Sequence, residues 1–270
     1  MHPPPVKTAV FLGGGRITHA LVAGLCRVGY RRALVVHDRN RGKLRQLSRR
    51  YGVKGEPNLH RAVAQAQLLI IAVRPTSVAE LLAQIGPLDR PLTAISLAAA
   101  IPLAQLRAQL GPPVVWARAM PSPLCRGGRG LTALTFDRAL STGGRRQVRD
   151  LFARVGTILE IAENKFDTFT VTYSSSHGYH ALAALAESAI KLGLDRRSAF
   201  TAAAHALADG IIVWREEKIP LQTLLDEAAT PGGIAASVMN ASDSAGYCRA
   251  VERGLRAGLA RSRAILRSRT

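Results

Sequence analysis

The chain is 270 residues long, enough to bury a substantial core in one large domain or two ordinary ones, and its high aliphatic and low aromatic content suits alternating helices and strands or an alanine-rich bundle. No apolar run approaches the length of a membrane span, and Met1-His2-Pro3-Pro4-Pro5 lacks the basic and apolar regions of a signal peptide, so a cytoplasmic protein with no membrane partner is expected. The formal net charge of +19 would attract phosphate polymers, yet the cations are spread along the chain and 31 of the 37 are arginine, so a nucleic-acid partner is not required.

The organising stretch comes first, from Lys7 to Arg39. A strand over residues 8–12 leads into Gly13-Gly14-Gly15, an amphipathic helix ending at Arg27 and Gly29, and a second strand over 33–36 that closes on His37-Asp38-Arg39. Gly13 permits a tight turn, Gly15 lets a backbone approach a pyrophosphate, and the helix that follows, opening at Arg16 and Ile17, offers free N–H groups and the positive end of its dipole. The third glycine position of the dinucleotide fingerprint holds Thr18, which weakens the match, but the strand-turn-helix-strand context supports it. Asp38 sits where an acid holds an adenosine ribose, and Arg39 where a cation meets a 2′-phosphate. Arg39-Asn40 inclines the reading to NADP, with NAD left open by the carboxylate.

Further along, helices are expected over 41–51, 62–67, 75–85, 101–110 and 144–155, and strands over 68–73, 92–97, 114–120, 131–136 and 157–161. The apolar strand 68–73 reads as buried on both faces and ends at Arg74-Pro75, which places Ala72, Val73 and Pro75 along the cofactor groove. Cys26, Cys125 and Cys248 are too far apart for a metal knuckle or a disulfide framework, and His180 and His205 have no metal-ligand partners at suggestive spacing.

After Asn164 strand signals cease. Alanine-rich helical segments follow over 167–192, 196–215, 221–229 and 243 to the end, so a domain boundary is expected near 163: a Rossmann-type doubly wound α/β domain over 1–163 and an all-α domain over 164–270. The last helix carries Tyr247, Val251, Leu255 and Leu259 on one face, with arginines from Arg249 to Arg269 around it. So few helices cannot bury their apolar surface alone, which points to pairing with a second subunit. Between two helices, Thr230-Pro231-Gly232-Gly233-Ile234 exposes backbone N–H groups at a helix start, a ready place for a carboxylate.

The glycine turn, Ala72-Val73-Arg74-Pro75, Arg118-Ala119-Met120-Pro121-Ser122, Lys191-Leu192-Gly193-Leu194 and Thr230-Pro231-Gly232-Gly233 fall in the order and spacing of the pyrroline-5-carboxylate reductases, which the chain resembles over essentially its whole length. The resemblance implies an N-terminal Rossmann domain, a C-terminal helical dimerisation domain, and homodimers that can assemble further. It also implies hydride transfer from NADPH to the ring C=N of a cyclic imino acid, giving proline, with the N–H groups of residues 230–234 holding the substrate carboxylate.

The chain departs from that pattern at four places. Ile234 and Ala235 stand where the family commonly has a threonine, Ser122 replaces an asparagine, Thr18 replaces a glycine, and the family's Ser-Gly-Ser-Gly-Pro-Ala-Tyr becomes Thr172 to Tyr179 with a histidine in place of the proline. Ser176, His177 and Tyr179 are thereby candidate proton donors to a developing amine. Three alternatives stay open: a different cyclic or secondary imine, another Rossmann dehydrogenase with a helical second domain, and a non-catalytic dinucleotide-binding protein.

Overall fold

The computed structural model describes residues 8–30 and 33–267; Met1 to Pro5, Lys7 and Arg269 lie outside them. The chain forms two compact units, one built from the chain through Thr172 together with the segment from Gly258, the other from Tyr173–Ala257.

The first unit is organised on an eight-stranded sheet. In chain order it comprises β1 (Ala9–Leu12), α1 (Arg16–Arg27), β2 (Leu34–His37), α2 (Arg41–Tyr51), β3 (Lys54–Gly55), α3 (Leu59–Gln65), β4 (Leu68–Ile71), α4 (Val78–Ile85), β5 (Leu92–Ser96), α5 (Leu103–Gln109), β6 (Val114–Pro121), β7 (Gly130–Phe136), α6 (Thr142–Ala153), β8 (Gly156–Glu160) and α7 (Phe166–Thr172). The strand order is β3-β2-β1-β4-β5-β6-β7-β8. The first six strands are parallel in the doubly wound dinucleotide order, whereas β7 runs antiparallel to β6 and β8 parallel to β7.

Successive strand residues face opposite sides, which divides the core in two. Phe11, Ile70, Ile95 and Ala117 pack with Leu21, Leu25, Leu47 and Phe152 from α1, α2 and α6. Val10, Leu12, Leu69 and Trp116 pack with Val63, Val78, Leu82 and Leu106 from α3, α4 and α5. Helix starts are written in the sequence: Asn40, Asn58 and Ser141 each accept hydrogen bonds from first-turn N–H groups of α2, α3 and α6.

Three features depart from the expected elements. The two-residue edge strand β3, paired to β2 through Val35 with Lys54 and Val36 with Gly55, is too short to show a period. The expected helix over 167–192 is broken: Phe169, Thr170, Val171 and Thr172 crowd the end of α7, and Ser174 caps a fresh helix, α8 (Ser175–Lys191). The last helix begins at Tyr247 and not at Asp243, because a separate helix over Ile234–Ser244 ends there and Gly246, at φ 85°, turns the chain between the two.

The second unit contains α8, α9 (Arg196–Glu217), α10 (Leu221–Ala228), α11 (Ile234–Ser244) and the start of α12 (Tyr247–Arg267). Its buried core is small, Ala186, Ala199 and Ala203 with Leu182, Ile190 and Phe200 packed on them. Leu192, Ile211, Ile212, Val213, Trp214 and Val238 are all exposed. Among the described residues no helix is long and apolar enough to cross a membrane.

Candidate functional site

The glycine turn is fixed from three sides. Gly13 has φ 112°, and a Cβ there would lie 2.7 Å from the carbonyl oxygen of Ala72, so both conformation and space require glycine. Its N–H donates to the His37 carbonyl at 2.8 Å, tying the turn to β2, while the Ala72 N–H donates to the Leu12 carbonyl at 2.8 Å from the β4 side. Thr18, fully buried, donates its hydroxyl to the Gly13 carbonyl at 2.5 Å. The departure from the fingerprint thus closes the turn instead of loosening it. Gly15 caps α1 without a side chain, and a Cβ built on it would meet nothing within 4 Å. That open side is where a ligand backbone or phosphate can come close.

A cavity of about 220 Å³ opens at these strand ends. Gly13, Gly15, Asp38, Arg39, Ala72 and Val73 line it, and so do Lys43, which sequence reasoning passed over, and Arg74, which it gave no role. Lys43 was visible only as a cation in the first turn of α2, indistinguishable in pattern from its arginine neighbours. Three other candidates stand off the wall: Arg16 is the exposed first residue of α1, Ile17 packs against the core, and Pro75 opens a short 3-10 turn before α4. A glycine turn with open space at Gly15 and cations on the rim fits a dinucleotide with its negative phosphates.

Asp38 is held at the edge of this cavity. Its Oδ2 accepts the Gly14 N–H and its Oδ1 the Asn40 N–H, each at 2.8 Å, and the Lys43 ammonium lies 3.6 Å from Oδ2. Burial pushes the carboxyl upward, but the two backbone N–H groups and Lys43 outweigh it and hold Asp38 below the ordinary carboxylate value. Arg39 points outward, with Glu80 at 3.4 Å.

The end of β6 carries a second charged cluster. The Arg118 side chain is 3% exposed; it donates to Glu163 at 2.9 Å and to Asp167 at 3.2 Å, and its guanidinium lies 4.2 Å over the Phe166 ring. Glu163 also accepts the Leu103 N–H at 3.0 Å. Ser122 accepts the Leu124 N–H through its hydroxyl, so this side chain serves the turn after β6.

In the second unit, the Pro-Gly-Gly stretch stands directly before α11. Gly232 has φ 76°, Gly233 is the N-cap with no side-chain cap bond, and a Cβ on Gly233 would meet Thr230 Oγ1 at 2.7 Å and its carbonyl oxygen at 3.0 Å. The turn is closed by the Gly233 N–H donating to the Thr230 carbonyl, which leaves the N–H groups from Ile234 onward at an uncapped helix start. Ile234 itself is 87% exposed. Ser176, His177 and Tyr179 all lie in the first turns of α8 and are exposed, with the Ser176 and Ser174 hydroxyls 2.7 Å apart.

Two family profiles match: "NADP oxidoreductase coenzyme F420-dependent" over residues 8–100 and "Pyrroline-5-carboxylate reductase dimerisation" over residues 163–265. Among curated proteins, the pyrroline-5-carboxylate reductase of Thermus thermophilus is 32% identical over 258 residues, covering 92% of this chain and 96% of its own. The chain belongs to the pyrroline-5-carboxylate reductase family. Another family member, the reductase of Corynebacterium melassecola, is 29% identical over 95% of this chain and 98% of its own. The fold is that of the family's solved structures, such as the Plasmodium falciparum pyrroline carboxylate reductase with NADP bound, at a TM-score of 0.84, 19% identity and coverage of 97% and 98% of the two chains.

Proposed function

We propose that this chain is an NADPH-dependent reductase that transfers hydride to the C=N bond of pyrroline-5-carboxylate, giving L-proline. The observation that carries the reading is the match to the Thermus thermophilus reductase across 92% of the chain. The bound nicotinamide supplies the hydride. The chain's own part is to bind, orient and donate. Gly13 and Gly15, with the first backbone N–H groups of α1 at Arg16 and Ile17, receive the pyrophosphate, Asp38 and Arg39 meet the adenosine end, and Ala72 and Val73 flank the groove that Pro75 follows. The Thr230–Ile234 loop holds the substrate carboxylate: the Gly233 N–H closes the turn onto Thr230, and the uncapped N–H groups from Ile234 onward face the ligand, with Gly232 and Gly233 giving close approach. Ser176, His177 and Tyr179 present hydroxyl and imidazole donors for the proton that the imine nitrogen takes up as carbon receives the hydride.

The working form is a homodimer or a higher assembly of it. Near its end α9 exposes Ile211, Ile212, Val213 and Trp214 in succession, an apolar stretch that a second copy would cover. The three cysteines are free, as suits a cytoplasmic protein.

One observation favours a wider substrate range: the exposed Ile234 stands where relatives in the resemblance carry a hydroxyl, so a related cyclic imine with an apolar substituent fits as well. Purified protein mixed with NADPH or NADH and pyrroline-5-carboxylate, beside a panel of other cyclic imines, decides between them. Oxidation of NADPH by pyrroline-5-carboxylate is expected. Turnover of another imine alone would move the substrate, and no turnover of any would sink the reductase reading.

A further inference from the structure

The acid at the end of β2 is committed to its own backbone. An acid at this place in the fold commonly hydrogen-bonds the ribose 2′-hydroxyl of a dinucleotide. Here both Asp38 oxygens already accept backbone N–H groups, from Gly14 in the phosphate turn and Asn40 before α2, and the side chain is 14% exposed. Substituting Asp38 therefore acts first on the glycine turn.

The cations around it are less committed. Lys43 is half exposed and has its backbone fixed by the Asn40 side chain, so its four-carbon stem can move the ammonium while the helix stays still. Arg39 is 78% exposed, and its ion pair with exposed Glu80 is of the kind that contributes little in water. With Arg74, three cations face two acids, Asp38 and Glu80, around one rim. That balance suits an incoming dianion.

We propose that Asp38 is a positioning residue for the glycine turn and that Lys43 joins Arg39 in holding the 2′-phosphate, making Lys43 the determinant by which this chain selects NADPH over NADH. The inference rests on the dinucleotide reading above. A lysine released from Asp38 pairs with a phosphate through charge-assisted hydrogen bonds, while Asp38 keeps both backbone donors and stays ionised beneath it.

Calorimetric titration with 2′,5′-ADP and with ADP isolates this contact without any turnover. The wild-type protein binds 2′,5′-ADP more tightly. Lys43→Ala lowers that affinity about tenfold and leaves ADP unchanged, and Lys43→Arg restores the preference. Asp38→Asn weakens both ligands alike, because it loosens Gly14 for either. A Lys43→Ala protein with an unaltered ratio of affinities, or an Asp38→Asn protein that loses ADP alone, overturns the assignment. Failure of the wild-type protein to bind either ligand overturns it together with the dinucleotide reading. Intact, selective binding without imine turnover would sink the reaction and leave this inference standing.

Discussion

Thr18 Oγ1 reaches back across the first turn of α1 to the carbonyl oxygen of Gly13, making a hydrogen bond inside a fully buried site. The fingerprint's third glycine is replaced here by a residue small enough to pack and polar enough to tie the turn. Thr18→Val keeps the shape and strands the Gly13 carbonyl, so a loss of about 1–2 kcal/mol in stability and a higher KM for NADPH are expected. Thr18→Ser should retain both, as thermal melts and cofactor titrations will show. Gly13→Ala must fail more severely, since its Cβ would strike the Ala72 carbonyl oxygen at 2.7 Å.

Gly233 and Gly24 make a contrasting pair. A Cβ on Gly233 meets Thr230 at 2.7 Å and so rebuilds the turn before α11, whereas on Gly24 it collides with the Cys125 carbonyl oxygen, inside the first unit. Gly233→Val is expected to raise the KM for substrate at least tenfold with NADPH affinity unchanged, on the order of one lost carboxylate contact. Unchanged turnover in steady-state assays would remove the carboxylate cradle. Gly24→Ala should lower the melting temperature instead.

Asp38 makes stability depend on acid. Its pKa in the folded protein is depressed below the ordinary value of about 3.9, so its contribution is complete above that pH and fades as pH falls through the lower folded value. Melts recorded at decreasing pH should show the wild type losing an increment of stability in that acidic window that Asp38→Asn lacks.

Arg118 is the buried cation whose removal leaves two carboxylates facing each other. Arg118→Met is expected to cost about 3 kcal/mol, read from urea unfolding, because Glu163 and Asp167 lose their shared partner. A triple change that also makes both acids uncharged should recover much of it.

Burial raises the Cys125 thiol to about 11, so few thiolates form there near neutrality. Iodoacetamide at pH 8 should leave Cys125 unmodified in the folded protein and label it in denaturant, as peptide mass mapping will show.

The parallel sheet was legible because each of its central strands is an apolar run long enough to stand out, and the glycine turn because strand, turn and helix follow in one short stretch. What escaped has physical causes. Two residues of β3 carry no period, and Gly246 divides a segment whose apolar pattern continues on both sides. Asp38 was visible as an acid at a strand end, but sequence position does not reveal that the Gly14 amide, 24 residues earlier, takes one of its oxygens. Lys43 was hidden for a related reason: which of several neighbouring cations turns toward the turn is decided by how α2 packs through its buried Leu44 and Leu47, not by charge.

Although α12 is one continuous helix, its stretch from Gly258 groups with the first unit, where Ser262 donates to Asp167 at 3.0 Å and Gly258 leaves room for Val171. The chain therefore leaves its first folding unit and returns to it only in its last residues. On a ribosome adding roughly 5–20 residues per second, Asp167 waits on the order of 5–20 s before Ser262 is made, and longer before it clears the exit tunnel. Until then the nascent sheet domain is complete in its strands but missing its final helical brace, and it must stay soluble in that state. A protein cut after Thr172 would be held there permanently.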